Sequence, residues 1–82
     1  MQQEVSLADL QKGRTGMVST INGGAQFRLK LEGLSIRPGT KITKVSSLFS
    51  KGPVVLSTGV TEVAIGYTMA LKIMVNDFTD GK

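Results

Sequence analysis

Cysteine, histidine and tryptophan are all missing from this chain of 82 residues. Without cysteine there is no disulfide, no thiolate nucleophile and no soft metal ligand, a composition that fits a reducing compartment. Without histidine as well, neither a Ser-His-Asp nor a Cys-His arrangement can be built, and the usual nitrogen and sulfur ligands of zinc are gone. The carboxylates are Glu4, Asp9, Glu32, Glu62, Asp77 and Asp80. Asp77 and Asp80 alone are close in sequence, and they fall in a polar C-terminal stretch. That placement suits solvation better than acid-base work, which needs a held and perturbed group. A hard divalent cation could visit such carboxylates weakly. The phosphate-binding pattern G-x-x-x-x-G-K-[ST] does not occur, and Gly39-Thr40-Lys41 reads as a turn. No catalytic residue, cofactor-binding residue or metal ligand is expected, and the chain reads as no enzyme. No stretch reaches the roughly 20 apolar residues of a membrane-crossing helix. Residues 1 to 11 lack the basic start and apolar run of a secretory signal. A cytoplasmic protein is expected.

Ten Lys and Arg against six Asp and Glu leave a net charge of +4. A basic balance invites nucleic acid or an anionic membrane as partner. The basic residues are nevertheless spread along the chain, with no run of five like charges. They read as a solvated basic surface. A small barrel that binds single strands needs aromatic platforms in a basic groove. Here the aromatics are Phe27, Phe49, Tyr67 and Phe78, none interleaved with basic residues. Nucleic-acid binding is therefore kept as the alternative, together with a weak metal-binding chaperone.

The length suits one domain, 1–82, with about 76–82 as a flexible polar tail. Ser6 has Asp9 three residues on, a capping pattern that predicts a short turn with Leu7 and Leu10 on one face. A β-rich run, Arg14 to Ile21, stops at the Asn22-Gly23-Gly24 turn signal. From Ala25 the period changes, and Phe27, Leu31 and Leu34 recur at i, i+4 and i+7. The spacing predicts an amphipathic helix over about Ala25 to Leu34, ended by Pro38, which biases Arg37 toward extended backbone. Strands are expected over Thr40–Ser46, Val54–Thr58, Thr61–Ile65 and Lys72–Val75, with a helical turn over Gly66–Leu71. Ile42 and Val45 break strict alternation, which calls for a bulge. The count is five short strands and one real helix after strand one, an all-β class and a partly closed small barrel. The expected core is Val18, Phe27, Leu31, Leu34, Ile42, Val54, Val63, Ile65, Ile73 and Val75.

The order SLADLQKGRTGMVSTING, FRLKLEGLSIRPGTKI, KGPVVLSTG and TEVAIGYTMALKIMV resembles the FeoA family from about Leu7 to Val75. The resemblance implies an SH3-like barrel and a non-catalytic cytosolic accessory of ferrous iron uptake. It implies as partner the cytoplasmic region of the membrane ferrous iron transporter, ferrous iron transport protein B. It implies contact with the membrane only through that partner, and leaves open a weak homo-oligomer. Family members often carry a label for transition-metal binding. The family usually places glycine directly after the helix, in an L-G-[IL] pattern. Here the matching residues are Leu34, Ser35 and Ile36, with glycine displaced to Gly33. Ser35 is therefore expected at positive φ, and Gly33 inside the helix at ordinary negative φ.

A protein without catalytic groups acts by binding. The outer face of the helix offers Arg28 and Lys30, its exit loop offers Arg37, and the loop after strand two offers Leu48, Phe49 and Lys51. These six are the candidate partner-binding residues, because loops and faces carried on a rigid barrel are common binding elements.

Overall fold

The computed structural model describes residues 3–47 and 51–78. In chain order the elements are β1 (Gln3–Ser6), β2 (Thr15–Ile21), α1 (Ala25–Glu32), β3 (Lys41–Ser47), β4 (Val54–Ser57), β5 (Glu62–Ile65), α2 (Tyr67–Ala70) and β6 (Ile73–Asp77). The strands form one antiparallel sheet in the order β1-β6-β2-β3-β4-β5. The all-β class with short helices is as expected, but six strands replace five, so α1 follows the second strand. The added strand, β1, carries a single apolar residue, Val5, and has no alternation to betray it. It exists because β6 supplies its ladder, from Gln3 opposite Asp77 to Ser6 opposite Met74. The same pairing corrects the tail. Asn76 and Asp77 lie in β6 between β1 and β2, and the Phe78 N–H donates to the Thr15 carbonyl.

The N-terminal turn forms as the capping pattern requires. The Asp9 N–H donates to Ser6 Oγ at 3.2 Å, and Leu7 and Leu10 enter the core. Two bulges then set which residues face inward. Pairing of β2 with β6 shifts register between Val18 and Thr20, so Val18 and Ile21, three apart, are both buried. Pairing of β3 with β4 shifts between Lys44 and Ser46, which is the bulge that Ile42 and Val45 demand. Of the expected core, Val18, Leu31, Ile42, Val54, Ile65, Ile73 and Val75 are buried, while Phe27, Leu34 and Val63 are half-buried against them. Leu7, Leu10, Ile21, Ile36, Leu56 and Ala70 complete the cluster.

Two of the basic residues depart from a solvated surface. Lys44 is only 4% exposed. It shares the inward face of β3 with Ile42, and its Nζ donates to the Ala8 carbonyl at 2.9 Å, tying the N-terminal turn to β3. Arg14, partly buried, pairs with Asp77 at 3.6 Å. Desolvation lowers the Lys44 pKa from its ordinary value, with the Asp9 carboxylate acting in the opposite direction. The folded protein thus gives up this proton before the unfolded chain does. Stability from this group rises with pH between the two values, and the penalty for burying the ammonium is fully present below the lower one. Urea titrations of wild type and Lys44→Met should therefore diverge in favour of wild type as pH climbs toward the ordinary lysine value of about 10.4. Parallel pH profiles would show that Lys44 is not desolvated.

Helix α1 ends at Glu32, two residues short of the expected Leu34 and with Gly33 as its C-cap, but both backbone expectations hold. Ser35 has φ 66°, whereas Gly33 has φ −63°. The Ile36 N–H reaches the Leu31 carbonyl at 2.9 Å and the Ser35 N–H reaches that of Glu32 at 2.9 Å. These are the paired bonds of a Schellman motif, with Leu31 and Ile36 as its apolar contact. Serine at a left-handed position carries a steric cost that glycine does not. Ser35→Gly should raise stability by about 0.5–1 kcal/mol in a thermal melt, because it relieves that cost. A neutral or lower melting point would mean that serine makes a compensating bond.

Candidate functional site: a basic and apolar groove

The Schellman contact fixes the rotation of α1. With Leu31 fully buried, Leu29 lies about 200° away around the helix and must face outward. It is 63% exposed, a large aliphatic side chain with no packing partner in the core. Arg28 lies on the outer surface beside it, one turn from both Ala25 and Glu32. Its Nη1 donates to the Gly23 carbonyl at 2.8 Å, so the guanidinium is tethered to the turn that precedes its own helix.

The chain leaving α1 forms the opposite wall. Pro38-Gly39 closes a tight turn in which the Thr40 N–H donates to the Arg37 carbonyl at 3.0 Å. The Arg37 N–H in turn meets Thr40 Oγ1 at 3.3 Å. Two further bonds clamp this turn to β2, from the Gly39 N–H to the Val18 carbonyl and from the Val18 N–H to the Thr40 carbonyl, each 2.8 Å. Arg37 and Pro38 are thus carried by the sheet rather than by a loose loop.

Between these walls lies an open groove of about 410 Å³, with Ile21 at the end of β2 among its lining. Ala25, Leu29 and Pro38 make the rest of the apolar surface, and Arg28, Glu32 and Arg37 supply the charge. Among the described residues neither guanidinium forms an ion pair, and Glu32, one turn along from Arg28, is paired with neither. The lining holds one carboxylate and no hydroxyl, imidazole, thiol or aromatic ring. Such a surface is suited to recognising an anionic, partly apolar partner, and it has no nucleophile.

Of the six residues proposed from sequence, the structure brings Arg28 and Arg37 to one groove. Lys30 is exposed on α1 but does not line it, and Lys51 is exposed in the turn before β4. Leu48 and Phe49 lie outside the described residues. Sequence reasoning missed Leu29, Ile21, Ala25 and Pro38. One signal was available for Leu29: it is apolar, yet it falls off the Phe27-Leu31-Leu34 stripe, so a helix packed by that stripe must expose it. Among the described residues no group of three carboxylates comes together. None of the described helices is long and apolar enough to cross a membrane.

The chain matches the family model for the FeoA domain over residues 5–77. It is 34% identical over 71 residues to a protein of Methanocaldococcus jannaschii provisionally named Fe(2+) transport protein A, covering 87% of this chain and 84% of that one. Its fold is similar to that of a crystallised iron uptake regulatory protein (FeoA), with TM-score 0.84 and 33% identity over 93% of this chain and 99% of that one. A FeoA-like protein from Clostridium acetobutylicum has TM-score 0.85 at 18% identity, over 100% of this chain and 95% of that one. A manganese-dependent transcriptional repressor has TM-score 0.83 at 18% identity; the match spans 95% of this chain and 44% of the repressor. At that identity the last two show a shared fold and nothing more.

Proposed function

The chain belongs to the FeoA family, and from that premise we propose that it is a non-catalytic accessory of ferrous iron uptake that docks on the cytoplasmic region of the ferrous iron transporter. The observation that carries the proposal is the groove, where Arg28, Arg37 and exposed Leu29 converge on rigid elements. Arginine beside apolar surface is the composition that concentrates energy in protein interfaces. An aromatic-free groove offers no platform for stacked bases, so a nucleic-acid partner fits it less well. Leu48, Phe49 and Lys51 are proposed as a second contact. Iron is the transporter's cargo in this reading, and the protein acts on the transporter rather than on the ion.

Capture of detergent-solubilised transporter by the immobilised chain tests the proposal. Wild type should retain it, whereas Arg28→Glu/Arg37→Glu should lower the retained fraction about tenfold or more, since reversing two interface charges sets like against like. Phe49→Ala should weaken retention through the second contact. Wild type that fails to hold the transporter in any nucleotide state would overturn the function. Folded variants that hold it as well as wild type would remove these surfaces from it.

A further inference from the structure

Resting on the reading of the groove as the docking site, we infer that its occupant is an acidic peptide segment with a bulky aliphatic side chain flanked by carboxylates. The charge balance at the groove sets the sign of the partner. Arg28 and Arg37 face a single carboxylate, Glu32, and the whole chain carries an excess of four positive charges. A planar guanidinium presents paired N–H donors that match a carboxylate in a two-point contact, which a compact ammonium cannot do. The tether from Arg28 to the Gly23 carbonyl holds one guanidinium in place before binding, which lowers the ordering cost of capture. Arg37 stands on a turn bonded twice to β2.

The apolar part sets the shape of the partner. Ile21, Ala25, Leu29 and Pro38 line about 410 Å³, toward the small end of the roughly 300–1,000 Å³ range of ligand clefts. That space has room for a large aliphatic side chain together with its flanking backbone, well short of a broad flat interface. Glu32 lines the same groove, one turn from Arg28, and disfavours a carboxylate beside itself, so the flanking acids are assigned to Arg28 and Arg37. The segment is thus read as acid, aliphatic, acid, with a neutral or basic residue over Glu32.

The probe is the synthetic peptide acetyl-Ala-Glu-Leu-Glu-Ala-amide, titrated into the isotopically labelled full chain while backbone amide signals are followed by NMR. The amides of Arg28, Leu29 and Arg37 should shift, and binding should weaken as salt rises from about 50 to about 300 mM, since exposed charges are screened. Replacing the peptide's Leu by Ala should weaken binding about tenfold, and replacing both Glu by Lys should abolish it. On the protein, Arg28→Gln/Arg37→Gln should weaken it about tenfold or more, and Leu29→Asp likewise. Glu32→Gln, which removes the repulsive charge, should strengthen it about twofold. Equal binding of the lysine peptide, shifts that map away from the groove, or an unaffected double variant would each overturn the inference. Should wild type capture the transporter while the acidic peptide leaves the groove untouched, this inference falls and the docking reading stands. Should the peptide bind the groove while the transporter is not captured, the groove's chemistry stands and the docking reading falls.

Discussion

Leu31→Ala should lower the free energy of unfolding by about 2–5 kcal/mol in a urea titration, the range for emptying a buried leucine site. Leu31 is 0% exposed. It also accepts the Ile36 N–H that closes α1 and packs in one cluster with Ile36 itself. Removing its side chain leaves a cavity directly under the helix stop. For 82 residues at roughly 0.05–0.15 kcal/mol each, total stability is about 4–12 kcal/mol, so this single change takes a large share. The loss reaches the groove as well. Arg28 and Leu29 are placed by the rotation of α1, and that rotation is set by Leu31 on the opposite face. The variant, even where folded, should bind the acidic peptide more weakly than wild type. A cost below about 1 kcal/mol would mean that α1 is not packed on the sheet.

Gly16→Ala should be comparably severe for a different reason. Gly16 is buried where β2 passes between β6 and β3, opposite Asp77 on one side and Ile42 on the other. A Cβ there would overlap Val75 Cγ1 and sit 2.5 Å from the Asn76 carbonyl oxygen. The first contact could yield by a rotamer change, but the second is main chain within a ladder and cannot. The strands must separate locally, at the cost of overpacking, about 1–3 kcal/mol and occasionally more. The seam between β2 and β6 also holds the Arg14–Asp77 pair and the bond from Phe78 to Thr15. Hydrogen exchange should therefore accelerate at β6 amides before it does so at β4. Unchanged exchange together with a midpoint shift equivalent to less than about 0.5 kcal/mol would refute the close approach of these strands.

The local chemistry of this chain was legible without coordinates. The period of Phe27, Leu31 and Leu34 set the face on which α1 packs, because helical geometry leaves no other way to bury them together. Ser35 at positive φ followed from the resemblance: the family's L-G-[IL] stop calls for a left-handed residue one step after Leu34, and serine stands there. The turn capped by Ser6 and the bulge in β3 followed from equally short-range rules. Arg28 and Arg37 were visible as cations on either side of that helix stop. Their convergence was not: it depends on the angle at which α1 crosses the sheet and on the clamp between Val18 and the turn of Pro38. Long-range pairing decided the rest. Residues 3–6 and 76–77 have no pattern of their own: 3–6 became a strand because β6 supplies a ladder, and 76–77 extend β6 because β1 and β2 flank it on either side. Lys44 looked like any surface lysine. Regular alternation from Ile42 turned it inward, and the Ala8 carbonyl of the N-terminal turn receives its Nζ. Short-range sterics and period are written in adjacent residues, whereas pairing, burial of a charge and the meeting of two arginines exist only once distant segments have met.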